Sequence, residues 1–148
     1  QEVFLNYLKA SKIDSSHYKV LSVQYEDVFN LLQMGDIGLL LRDNSIVNHV
    51  ASPTKFAEYL ICGLPVIITD FVGDYSEMVK QHKLGWIIDL SQLSIDADLK
   101  KFIQDVEIRR VEYAEKCSSF ARRYLSWESY GKVLANIYTL LLSEKSLF

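Results

Sequence analysis

The chain reads as an α/β protein: a doubly wound parallel sheet with helices on both faces and a helical C-terminus. Three observations predict this class. Short apolar or β-branched runs alternate with segments of helical spacing. One run, Ile37-Gly38-Leu39-Leu40-Leu41, is apolar throughout, which suits a central parallel strand covered on both sides. From about Ile95 onward the spacing is helical, with no further strand.

The elements follow in order. Val3, Phe4, Tyr7 and Leu8 give Glu2 to Ser11 a helical stripe. Tyr18 to Val23, YKVLSV, is rich in β-branched residues and short enough for a strand. Glu26 to Met34 returns to helical spacing through Val28, Phe29, Leu31 and Leu32, and Gly35-Asp36 stops it. The strand Ile37 to Leu41 comes next, then a polar loop from Arg42 to Ser52. Ser52 is a good N-cap and Pro53 fits the first helical position, so a helix opens there. Gly63 suits the left-handed residue beyond its end, and Pro65 prevents continuation. Pro65 to Thr69 is a strand, Asp70 to Gly85 a loop with one short helix, and Trp86 to Ile88 a short strand. Right-handed crossovers place the loops after the strands at one sheet edge, where such folds bind ligands. Gln24-Tyr25, Arg42 to Ser52 and Asp70 to Gly73 are therefore expected to border a site.

Residues 1–148 read as a single domain, long enough to bury a core. Hydrophobic residues make up 49% and charged residues 24%, the balance of an ordinary globular protein. Sixteen basic against nineteen acidic side chains give a net charge of −3, which argues against nucleic acid as a partner. Cys62 and Cys117 stand far apart, in no metal-ligand spacing; Cys62, in an apolar helix, reads as a buried thiol, and nothing points to an oxidising compartment. No apolar run is long enough for a membrane span, and the start lacks a signal-peptide pattern. These features predict a cytoplasmic location.

Two residues in SPTKFAEYLICGLPVIIT, Ser52 to Thr69, do not fit a purely structural account. Lys55 puts a cation in the first helical turn, against the macrodipole, at a cost of about 0.3–1 kcal/mol if exposed. An anion at the helix N-terminus would reverse that penalty, making Ser52, Thr54 and Lys55 a phosphate cradle. A solvated surface lysine is the other reading. Glu58, three residues on, shares a face with Lys55. It forms either an intrahelical ion pair or a carboxylate that accepts hydrogen bonds from sugar hydroxyls.

Other motifs are absent. The chain has no G-x-G-x-x-G, G-x-x-x-x-G-K-[ST], H-E-x-x-H or G-x-S-x-G. His17, His49 and His82 are isolated, with His49 nearest the site loop. Arg109-Arg110 and Arg122-Arg123 read as solvated helix faces.

The segments D-I-G-L-L-L-R, S-P-T-K-F-A-E-Y-L-I-C-G-L-P-V-I-I-T, V-G-D-Y-S-E-M-V and L-G-W-I-I-D, in that order, resemble the C-terminal half of retaining glycosyltransferases of family 4 with the two-domain B-type fold. The likeness spans Tyr18 to Asp89, and S-W-E-S-Y-G-K-V-L-A-N-I-Y resembles the family's final helix, which packs back toward the other domain.

The resemblance implies a Rossmann-like domain that binds a nucleotide-diphosphate sugar with no metal and no other cofactor, for hexosyl transfer to a saccharide or lipid-linked acceptor, as in polysaccharide biosynthesis. Glu58 matches the ribose-binding glutamate. Thr54 and Lys55 match the turn that meets the diphosphate, with Lys55 stabilising the leaving group; Ser52 and Pro53 open that turn and are expected in the donor site with them. Val23 and Gln24 would border the base. Many members carry a second glutamate on the donor sugar; here that position is Val50, so Asn48, His49 or Ser52 would take over its hydrogen bonds. The resemblance also implies a truncated C-terminal half, without the N-terminal domain that brings the acceptor, and inactive alone. The full enzyme would touch the inner face of the membrane peripherally. A nucleotide-sugar 2-epimerase-like domain of the same fold and a flavodoxin-like receiver module are the alternatives.

Overall fold

A computed structural model describes residues 2–92 and 97–144. At its centre lies a parallel sheet in the order β1-β2-β3, with β1 at Gly38–Leu40, β2 at Val66–Thr69 and β3 at Gly85–Ile88. Leu39 pairs with Ile67, and Ile67 with Trp86 on the other side. All four residues of β2 are buried, as its unbroken V-I-I-T run requires of a central strand. Its one polar side chain is satisfied: Thr69 Oγ1 accepts the Arg42 backbone N–H at 3.1 Å.

The two-residue period of the strands sends alternate side chains to opposite faces. On one face Leu40, Val66 and Ile68 pack against α4 (Thr54–Ile61), α5 (Tyr75–His82) and α7 (Arg110–Tyr124), through Phe56, Leu60, Val79 and Phe120. On the other, Ile67 meets Leu99, Phe102 and Val106 of α6 (Ala97–Ile108). The sheet is thus doubly wound, and α8 (Trp127–Glu144) completes the helical C-terminus. The end of α4 is a Schellman motif: the Leu64 N–H donates to Tyr59 O at 3.0 Å, and the Gly63 N–H to Leu60 O at 2.9 Å. Gly63 takes φ +83°, which is why glycine stands there.

Several expectations need correction. Tyr18 to Val23 is not a strand; the segment has no ladder partner among the described residues, and Leu21 and Val23 are exposed. β-propensity does not make a strand without a neighbour to pair with. Ile37 to Leu41 is not a central strand covered on both sides. Its strand is Gly38–Leu40, at the edge of the described sheet, and Leu39 is 57% exposed on the α6 face. Glu26 to Met34 is shortened to a 3₁₀ turn, Tyr25–Asp27, followed by α2 (Val28–Leu32). The Arg42 to Ser52 loop contains a one-turn helix, α3 (Ile46–His49). Cys62 lies just beyond α4 and is only partly buried, whereas Cys117 is fully buried. The first helix, α1, runs Glu2–Ala10 as its spacing predicts. Ile95, expected to begin the helical region, lies outside the described residues.

Candidate functional site

The carboxyl edge of the sheet carries two loops that brace each other. In the β1–α4 loop, Asn48 is buried and its amide donates to Asp43 O (3.0 Å), Asp43 Oδ1 (2.7 Å) and Ser45 Oγ (3.0 Å). The β2–α5 loop joins it through the Gly73 N–H, which donates to Asn48 O at 3.1 Å. Gly73 has φ +48°, and a Cβ there would lie 2.5 Å from Ala51 O, so only glycine lets the loops approach this closely. His49 stacks on Phe71 with centroids 5.7 Å apart, and its Nε2 is 2.7 Å from Asn44 Oδ1. Asp70 closes the second loop by accepting from Lys80 Nζ at 2.7 Å.

These loops deliver the chain to the start of α4. The helix begins at Thr54, with Pro53 in the cap position at ψ 123°, so Pro53 is not the first helical residue. Ser52 is not the cap either. Its Oγ lies 2.6 Å from Tyr75 Oη, and Tyr75 is itself stacked on Phe56 at 4.2 Å. The Phe56 N–H turns back to Pro53 O at 3.1 Å, while the amides of Thr54 and Lys55 have no partner among the described residues. Two donors and the positive end of the macrodipole therefore face outward, unclaimed by any side-chain cap.

Lys55 Nζ lies 2.5 Å from Glu58 Oε2, so the ion-pair reading is realised. Lys55 is half exposed, whereas the Glu58 side chain is only 15% exposed. A carboxylate that buried beside one solvated cation keeps acceptor capacity for other donors. Its charge also reaches one turn along the helix: burial, and then Glu58, push the Cys62 thiol above its ordinary range, so Cys62 stays protonated.

Glu58 opens into a cleft of about 770 Å³ between α4, α5, the α7–α8 corner and the turn before α2. Ser52, Thr54 and Glu58 form its polar side. Tyr25, Phe29, Tyr75, Trp127 and Tyr130 bring aromatic rings to it. A volume of this size, mostly apolar with a few converging polar groups, is what a small-molecule site needs.

Of the residues singled out in the sequence, Ser52, Thr54 and Glu58 converge on this cleft, and Lys55 reaches it through its ion pair. Pro53 positions them. Asn48 and His49 lie in the bracing loop and do not line the cleft, and neither do Val23 and Gln24. Gln24 sits at the start of the turn whose next residue, Tyr25, does line it. Sequence reasoning missed Phe29, Tyr75, Trp127 and Tyr130. The Trp127-x-x-Tyr130 spacing after a capping serine was the available signal: Ser126 Oγ accepts the Ser129 N–H at 3.2 Å and fixes the start of α8. Among the described residues there is no group of three or more His, Cys, Asp or Glu side chains that could hold a metal ion. No described helix is long and apolar enough to cross a membrane.

The family model for glycosyl transferases group 1 matches residues 5–124. No curated protein and no solved structure matches the chain significantly.

Proposed function

The chain belongs to the group 1 glycosyl transferases, and from that premise we propose that it is the donor-binding C-terminal half of a two-domain, B-type enzyme of family 4. The observation that carries this reading is the start of α4. Two free amides, one ammonium and one largely buried carboxylate lie within a single helical turn at the mouth of the cleft. A nucleoside diphosphate presents the matching groups. Its diphosphate would accept from the Thr54 and Lys55 amides and from Lys55 Nζ. Its ribose hydroxyls would donate to Glu58. Lys55 would then exchange a surface ion pair for a phosphate contact, and its unfavourable place in the first turn becomes favourable.

In transfer, the bond between the anomeric carbon and the diphosphate breaks, and the diphosphate departs with the bonding electrons. Lys55 and the helix N-terminus stabilise that growing charge, an electrostatic contribution aimed at the leaving group. The anomeric carbon bonds to an acceptor hydroxyl, whose proton passes to the departing diphosphate oxygen. The sugar end has no carboxylate at Val50, whose side chain points largely to solvent. Of the substitutes, Asn48 has its amide committed three times within the loop, and the Ser52 hydroxyl is engaged with Tyr75. His49, exposed beside Val50, has its Nε2 at Asn44 Oδ1 and its ring on Phe71, so all three are engaged within the protein.

The exposed face of α8 supports the same reading. Val133, Leu134, Ile137, Tyr138, Leu141 and Leu142 of α8 leave a run of exposed apolar surface that an N-terminal domain would cover. Acceptor binding, and with it saccharide or lipid-linked specificity, would belong to that domain. Calorimetric titration of the 148-residue chain with uridine, guanosine and adenosine diphosphates tests the proposal. Saturable heat with one of them supports it. No heat with any, from a sample that melts cooperatively, contradicts it.

A further inference from the structure

The cleft has a second side that the diphosphate-and-ribose reading leaves unused. Tyr25 enters from the turn before α2 and is 69% exposed; Trp127 enters from the first turn of α8 and is 85% exposed. Tyr130 follows Trp127 by three residues and so shares its helix face. The other two rings are committed to the protein. Tyr75 stacks on Phe56 and meets Ser52, and Phe29 forms a T-shaped pair with Tyr25 at 6.4 Å. Trp127 and Tyr130 have no ring partner and no cation over them among the described residues. An indole and a phenol with free faces, opening onto the space beside a hydroxyl-accepting carboxylate, form a stacking platform for a flat ring. Exposed aromatics elsewhere, such as Tyr7 and Tyr138, do not line this cleft.

We infer that Trp127, with Tyr25 and Tyr130, stacks on the nucleobase of the bound nucleotide, so that the corner opening α8 is part of the donor site. This rests on the proposed nucleotide-binding role of Thr54, Lys55 and Glu58 and extends it to residues outside the α4 turn. Stacking tolerates different bases because every base has a π face. The platform therefore supplies affinity for a nucleotide over bare diphosphate and leaves the choice of base to other groups. It also ties α8 to donor binding, because Trp127 and Tyr130 begin the same helix face that runs on, apolar and exposed, through Leu134, Ile137 and Leu141.

Fluorescence separates this inference from the reading beneath it. The chain has two tryptophans, and Trp86 is partly buried on β3, stacked on Phe102 at 5.8 Å. In a Trp86→Phe background, emission from Trp127 is expected to quench on titration with uridine, guanosine or adenosine diphosphate and to stay unchanged with inorganic pyrophosphate. Should Trp86→Phe fail to fold, calorimetry on Trp127→Leu in the natural background gives the same answer, since that side chain is exposed. Loss of one stacked base predicts nucleoside diphosphate affinity lower by roughly 5- to 150-fold, with pyrophosphate affinity unchanged. Glu58-dependent nucleotide binding that neither quenches Trp127 nor responds to Trp127→Leu overturns the inference and leaves the diphosphate site standing. Equal affinity for pyrophosphate and nucleotide also overturns it. Failure of the natural chain to bind any nucleotide overturns both.

Discussion

Replacing Lys55 by alanine separates a structural role from a binding role, because the two make opposite demands on the same side chain. Without ligand, Lys55 contributes one intrahelical pair with Glu58, spaced i,i+3 and half exposed on the lysine side. Such pairs stabilise by about 0.2–0.5 kcal/mol. Against this, a cation in the first helical turn costs about 0.3–1 kcal/mol. The two terms partly cancel, so the effect of Lys55→Ala on unfolding stability should lie between about 0.2 kcal/mol of loss and about 0.8 kcal/mol of gain. With a diphosphate bound, the lysine makes a charge-assisted hydrogen bond worth about 1.5–3 kcal/mol. The same substitution should weaken nucleoside diphosphate binding by roughly 10- to 150-fold. Urea unfolding and calorimetry on one preparation measure both quantities. A loss of more than about 1 kcal/mol in stability with unchanged affinity would refute the reasoning and leave Lys55 as an ordinary helix-pairing residue.

Further outcomes follow from the core and the loops. Leu60 is fully buried between the sheet and its helical cover, so Leu60→Ala should cost about 2–5 kcal/mol in urea unfolding. Gly73→Ala forces a Cβ toward Ala51 O at a positive φ. It should lower the melting temperature and weaken nucleotide binding together, because the strained contact lies between the two loops that set the start of α4. Burial pushes the Cys117 thiol up from its ordinary 9.0 to about 12. A group raised in the folded state contributes stability that is complete below the unfolded value and is lost as pH rises toward the folded one. Melting temperature should therefore decline between about pH 9 and pH 12, and Cys117→Ala should flatten that decline.

What the sequence made legible were features whose causes are local. Gly63 and Pro65 ended α4 on their own backbone preferences, and V-I-I-T declared a strand buried on both faces. Lys55 and Glu58 stood out because a charge in the wrong turn is visible from spacing alone. What stayed hidden depends on distant partners. Tyr18 to Val23 has the composition of a strand, but a strand exists only when a neighbour completes its ladder, and none of the described strands does so. Ser52 has the chemistry of a cap, yet Tyr75, far along the chain, engages its hydroxyl. Trp127 and Tyr130 belong to a segment of helical spacing that resembles a final helix packing toward another domain, which points to no ligand. Only the turn at Leu125 and Ser126 brings them alongside Glu58.

The central claim is that the first turn of α4 receives the diphosphate. Backbone amide resonances followed by nuclear magnetic resonance during nucleoside diphosphate titration test it most directly. The account predicts the largest, saturable shifts at Thr54, Lys55 and Phe56, with smaller ones at Glu58 and around Trp127. Saturable shifts confined to other elements, such as α6 or the loop before β1, with the Thr54 and Lys55 amides unmoved, would contradict it.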